Sequence, residues 1–265
     1  MSIKYITISI FLYLCLSAFI IDNTNYKVVY KVRYISHLDT KTVKTERAFL
    51  IIKNNQESSY TTENTYKQDS IKQLVREGIL VAQEVMNDKY PKTGFNHFVQ
   101  KNYKEQSLRI HNLIAVDNYI YNQKNELVWQ LYPDTLKVQN YVCNKATTTY
   151  EGRDYIAWYT TEIPISDGPY KFWGLPGLII KIYDTENHYT FTLESFEKYT
   201  GKSYSVPYQT RKTYEVTYDK FKTLSKEFTE NPLKTLENIG MKGITVNGKD
   251  ASQVKLPKRN PIERF

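Results

Sequence analysis

The chain has 265 residues, 41% of them hydrophobic and 14% aromatic, with 24 tyrosines. That is enough apolar surface for the core of one large domain, and it excludes a disordered chain. The formal charge of +8 comes from Lys and Arg mixed along the chain with Asp and Glu; the dense basic stripe that nucleic-acid binding needs is missing.

The chain opens with Lys4, an uncharged apolar run from Tyr5 to Ile21, and a polar exit at Asp22-Asn23-Thr24-Asn25. This pattern reads as a secretory signal over residues 1–21, with an uncleaved N-terminal anchor as the alternative. Leu14 before Cys15 argues against lipid attachment, which favours a small residue there. Removal of the leader leaves Cys143 alone, so an internal disulfide is not expected and the thiol reads as a small buried hydrophobe.

Residues 22–265 read as a single β-rich domain with a helical C-terminal part and an irregular tail. Frequent Tyr, Thr, Ile and Val favour pleated sheet. Tyr26 to Ile35 and Arg47 to Lys53 predict an antiparallel pair around a polar turn at Asp39-Thr40-Lys41. Ser70 and Gln73 have capping-box spacing, and Ile71, Leu74, Val75, Ala82, Val85 and Met86 fall on one helical face, interrupted by Gly78. Short strands follow at Tyr119 to Tyr121, Leu127 to Tyr132, Lys137 to Cys143, Tyr155 to Thr161, Leu178 to Tyr183 and Tyr189 to Leu193. Turns at Asn122 to Asn125, Pro133-Asp134, Glu151-Gly152 and Asp184 to Asn187 separate them. Phe221, Leu224 and Phe228 have helical spacing, and Asn231-Pro232 starts a short helix that Gly240 stops. The expected fold is mainly β: a curved, meandering antiparallel sheet, half-barrel-like in one version, with two or three helices.

The most specific segment runs from Asp167 to Ile180. Pro176-Gly177 has the composition of a type II turn, and Gly168-Pro169 makes a second break upstream. Between them, Tyr170, Lys171, Phe172 and Trp173 form a constrained aromatic loop. Gly174-Leu175-Pro176-Gly177-Leu178-Ile179 is the namesake hexapeptide of the GLPGLI family, and the chain resembles its members. Supporting motifs are Cys143-x-Lys145-Ala146, Gly152-Arg153, Ala157-Trp158-Tyr159-Thr160, Ile163-Pro164-Ile165 and Gly168-Pro169-Tyr170-Lys171-Phe172, with Asn260-Pro261-Ile262-Glu263 further on. The strong stretch covers residues 127 to 195. The resemblance implies an exported protein of a Gram-negative envelope, periplasmic or associated with the outer membrane. It carries no established activity, catalytic residue or cofactor.

Two readings of the motif stand side by side. In one, the glycines and prolines set a structural corner through Gly174, Leu175, Pro176, Gly177, Leu178 and Ile179. In the other, Tyr170, Lys171, Phe172 and Trp173, with Trp158 and Trp129, bind a small or lipid-like ligand or an envelope protein. Catalytic chemistry finds little footing: Asp184, His188 and Ser195 can be named, but no motif or spacing joins them. No metal site is predicted, since His37-x-Asp39 reads as a polar turn. The expected function is non-enzymatic binding, with an assembly factor for outer-membrane machinery or an envelope hydrolase as alternatives.

Overall fold

A computed structural model describes residues 24–81, 91–201, 206–209, 211–241, 243, 245–246, 249–254 and 256–265. The apolar leader, 1–21, lies outside the described residues, as do Ala82, Val85 and Met86.

Twelve strands form one open, curved sheet. The first meander comprises β1 (Tyr26–Ile35), β2 (Val43–Lys53), β3 (Glu57–Thr62), β4 (His97–Asn102), β5 (Ser107–Ile114) and β6 (Asp117–Lys124). The second comprises β7 (Gln130–Val138), β8 (Tyr141–Tyr150), β9 (Arg153–Thr160), β10 (Leu178–Asp184) and β11 (Tyr189–Lys198). They join where β11 pairs antiparallel with β1, giving the order β12-β6-β5-β4-β3-β2-β1-β11-β10-β9-β8-β7, in which the short β12 (Thr213–Glu215) runs parallel to β6. The edges are therefore β7 and β12.

Period-two alternation decides which face is buried. On β1, Val28, Tyr30, Val32 and Tyr34 are buried, and they pair across β2 with Leu50, Ala48, Glu46 and Lys44. The same face continues through Tyr60, Val99, Ile110 and Tyr121 on one side and Phe191, Ile182, Ala157 and Ala146 on the other.

Among the described residues three α-helices accompany the sheet: α1 (Glu63–Arg76), α2 (Tyr218–Glu230) and α3 (Pro232–Asn238). Phe221 of α2 stacks on Tyr121 with ring centroids 4.2 Å apart, which fixes that helix over the first meander. Among the described residues no helix is long and apolar enough to cross a membrane.

Most of the expected strands are present, with informative differences: Asn122 to Lys124, expected in a turn, belong to β6 and pair with β5. α1 begins at an N-cap on Thr62, whose hydroxyl accepts from the Thr65 amide, and not at Ser70. Ser70 lies inside the helix and donates to the Tyr66 carbonyl, four residues back. The helix ends in a Schellman motif, with the Gly78 amide on Val75 and the Ile79 amide on Leu74, so Gly78 terminates it rather than interrupting it. Pro133-Asp134 is not a turn: it sits in β7 where the register shifts between Leu131 and Thr135, as an edge strand permits. The turn falls instead at Gln139-Asn140, in the middle of the strand expected over Lys137 to Cys143. Among the described residues of the tail, 256–265, there is neither helix nor strand beyond one bridge between His37 and Arg259.

Candidate functional site

Between β9 and β10 the chain turns inward and fills the hollow of the sheet. Ile163, Ile165, Tyr170, Phe172, Trp173 and Leu175 are all buried there. Burial of each large side chain contributes about 2–3 kcal/mol. A turn closes from the Phe172 amide to the Pro169 carbonyl at 3.0 Å, with Tyr170 held at φ +55°. The Pro176-Gly177 pair is not the type II turn its composition suggests. The Gly177 amide bonds the Leu175 carbonyl at 2.7 Å, a three-residue turn around Pro176, and the Leu178 amide goes to Ile163. Glycine is needed because a Cβ at position 177 would lie 2.0 Å from the Thr160 carbonyl oxygen.

This inward segment carries charges into the core, each of them matched. Lys171 is fully buried; its ammonium bonds Glu263, the Tyr121 hydroxyl at 3.1 Å and Gln123 at 3.3 Å. The rings of Tyr121, Tyr150, Tyr170 and Tyr218 surround it, with centroids 5.2 to 5.9 Å away. Lys101 on β4 donates to Asp167 at 2.5 Å and to the Gly168 carbonyl at 2.7 Å, while Tyr103 donates to the other Asp167 oxygen. Burial lowers the Lys101 pKa and the Asp167 charge opposes that shift. Arg153 donates to Asp184 at 2.7 Å, to Asn260 at 2.5 Å and to the carbonyls of Pro261 and Ile262. Segment 260–263 is thereby fastened across the open end of the sheet.

The site residues expected from sequence separate into two groups. Tyr170, Lys171, Phe172 and Trp173 come together but line no open cleft. Trp129 joins them from outside, donating its indole N–H to the Trp173 carbonyl at 2.8 Å. Trp158 does not join them: it alternates with core-facing Ala157 and Tyr159 and is half-buried beside Lys145 and Lys181 on the other face. Ser195 pairs with Val29, seven positions along β11 from His188, roughly 20 Å at 3.3 Å per residue, so the suggested trio does not assemble. Asp184, Glu186 and His188 do approach one another within 4.8 Å. Arg153 and Arg264 already bond Asp184 and Glu186, which makes this a salt-bridge network. His37 contacts Ser36, and Asp39 accepts from the Thr40 and Lys258 amides, as a turn would. Cys143 is buried, and burial pushes its thiol up to about 11, so it stays protonated at neutral pH.

Sequence reasoning missed Lys101, Tyr103 and the part played by Glu263, because each acts through a partner distant in the chain. It also missed two cavities. One, of about 550 Å³, lies over β3 to β6; among its cations Lys53 pairs with Glu57 at 2.9 Å, Lys101 with Asp167 and Arg109 with Glu215 at 2.9 Å, while Lys124 donates to the Glu105 carbonyl at 3.2 Å. The other, of about 420 Å³, lies between the rim of the sheet, α2 and segment 259–263. Tyr34, Phe95, His97, Tyr189, Phe228 and Ile262 are among its walls.

A model of a family described as "Protein of unknown function (Porph_ging)" matches residues 148–181, from the end of β8 through β9 and the inward segment into β10. No curated protein matches the chain. Among solved structures, PNGF-II in its P21 and C2 crystal forms is similar at TM-scores of 0.52 and 0.51, each at 12% identity over 78% of this chain. The chain spans about a third of the length of those structures, 34% and 33%. A LolA superfamily protein from Nitrosomonas europaea aligns at a TM-score of 0.29 and 7% identity, over 70% of this chain and 91% of its own. The PNGF-II likeness is one of fold alone.

Proposed function

We propose that this chain is an exported, non-enzymatic protein of a Gram-negative envelope that binds a small ligand in the cavity between the sheet rim, α2 and segment 259–263. The apolar leader and the family resemblance support the compartment. The observation that carries the binding site is the filled hollow of the sheet. Tyr170, Lys171, Phe172 and Trp173 take the space an acyl chain would need, and a walled volume of about 420 Å³ remains at the rim. That volume is within the usual range for small-molecule sites, and it combines aromatic walls with amides and hydroxyls. The aromatic motif then acts as scaffold: it holds Glu263, and with it the roof of the cavity.

Native mass spectrometry of the mature protein, purified gently from its own envelope, tests this reading. A retained small molecule that is lost in Thr229→Trp, which fills the cavity from α2, is the expected result. A bare protein would sink the reading.

A second reading, assembly with a partner protein, is favoured by one observation. Val128, Leu131, Leu136 and Val142 are 47 to 81% exposed along the free edge at β7. A stoichiometric protein partner in the same spectra, lost on Leu131→Asp, would select it.

A further inference from the structure

Two cations, Lys44 and Arg259, are among the walls of the rim cavity. Lys44 pairs with Tyr34 across β1 and β2 and shares the face that lines the cavity. Arg259 is held by its bridge to His37, and the next amide, Asn260 N, bonds the Ser36 carbonyl at 2.9 Å. Its guanidinium lies 4.3 Å from the centre of the Phe228 ring, a contact that orients the group and leaves its edge free to donate. Neither Lys44 nor Arg259 forms an ion pair among the described residues. Burial, followed by the charges of Lys44 and Arg259, holds the His37 pKa below its ordinary value, against the opposing charge of Asp39.

The nearby carboxylates are already engaged. Glu263, the acid among the cavity walls, is bonded to Lys171 and to the Tyr170 hydroxyl at 2.8 Å. Glu46 accepts from Thr93 at 2.8 Å and from the Gly94 amide at 3.3 Å, and Asp39 accepts from Lys258 and Thr40 amides. Deeper in the cavity, the His97 Nδ1 atom is buried without a hydrogen-bond partner. In the larger cavity Lys53, Lys101 and Arg109 each meet a carboxylate, and Lys124 meets a backbone carbonyl. Two cations of different geometry, a guanidinium fork and a point-charge ammonium, in the walls of a polar pocket have the chemistry of an oxyanion site.

We propose that the rim cavity binds a phosphate ester, with its phosphate held between Lys44 and Arg259 and its polar remainder directed toward Asn112 and His97. This rests on the binding role proposed above and names its ligand class. A phosphomonoester dianion matches two cations in charge, and the volume leaves room for a group the size of a sugar. The same headgroup chemistry can come from a free solute or from an anionic lipid at the membrane surface.

The test uses the full mature chain. Calorimetric titration with glucose 6-phosphate, with glucose and with inorganic phosphate reads the soluble arm. Co-sedimentation with phosphatidylcholine vesicles, with and without phosphatidic acid, reads the lipid arm. Binding of glucose 6-phosphate but not glucose is expected, weakened by about tenfold or more, some 1.4 kcal/mol, in the double variant Lys44→Gln with Arg259→Gln. Both side chains are exposed, so the urea midpoint of that variant should stay unchanged. Retention only on phosphatidic acid vesicles, lost in the same variant, supports the inference with a lipid as source. No binding in either arm, or binding indifferent to the double variant, overturns it. A neutral molecule retained in native spectra together with no phosphate binding overturns the phosphate assignment alone, whereas a bare protein overturns the binding role as well.

Discussion

Replacement of Glu263 by Gln leaves the Lys171 ammonium in the core without its counter-charge. Lys171 is 0% exposed and Glu263 5% exposed, so water cannot take over the role. Removing one partner of a buried ion pair costs about 3–5 kcal/mol, because the surviving charge keeps its desolvation penalty. Here the Tyr121 hydroxyl, Gln123 and the faces of four tyrosines remain as partial compensation, at about 2 kcal/mol for a desolvated cation over a ring. The expected loss is therefore at the lower end, about 3 kcal/mol. Lys171→Met removes the other partner and leaves Glu263 on the Tyr170 hydroxyl, with a loss of similar size. The double variant, Lys171→Met with Glu263→Gln, buries no charge and should recover to within about 1 kcal/mol of the parent. Urea unfolding at neutral pH, followed by tyrosine and tryptophan fluorescence, measures all four members of the cycle. Additive losses in the double variant, or single losses below about 1 kcal/mol, would refute the argument that the pair is desolvated and coupled.

Two further outcomes follow from the geometry. Gly177→Ala forces a methyl group to within 2.0 Å of the Thr160 carbonyl, so it should cost about 3 kcal/mol; unfolding midpoints within experimental error of the parent would mean that the β9–β10 corner is not packed as described. His97 and His111 are each held down to about 4 by burial, against an ordinary 6.5. Both are neutral in the native state while the unfolded chain takes up protons below 6.5, so stability is full above that pH and falls as pH drops toward 4, by up to about 3 kcal/mol per group. His111→Gln should flatten the fall in stability measured between pH 7 and pH 4, and an unchanged slope would count against it.

The sheet was legible in the sequence because its information is local. Tyr26 to Ile35 alternates core-facing Val28, Tyr30 and Val32 with Lys27, Lys31 and Arg33, and that stretch is β1 to the residue. Asn231-Pro232 and Gly240 bracket α3 for the same reason. Misplacements arose where the deciding contact is tertiary. Ser70 with Gln73 has the spacing of a helix start, whereas the start at Thr62 is fixed by Thr65, which also donates to the Phe95 carbonyl at 2.8 Å. Pro133 has the composition of a turn, and only its position at a free edge makes it tolerable in a strand. The candidate site was less legible. Lys171 within an aromatic loop reads as an exposed binding residue until Glu263, 92 positions away, is brought beside it. Lys44 and Arg259 lie further apart still, and no spacing rule connects them.

Under the proposed binding role, the segment from Arg259 to Glu263 would also tie affinity to the order in which the molecule assembles. Each meander grows by hairpins between neighbours in sequence, whereas the seam between β1 and β11 and the bond from Asn260 to Ile35, 225 residues apart, require the whole chain. Long-range pairings of this kind form late, on a scale of milliseconds to seconds. The cavity accordingly has no half-built counterpart: a chain whose seam is open lacks the walls that β1, α2 and segment 259–263 supply together. If the proposed ligand binds there, occupancy and completion of the fold are a single linked equilibrium, in which ligand at a hundredfold excess over its dissociation constant would add about 2.7 kcal/mol to stability without touching any other part of the sheet.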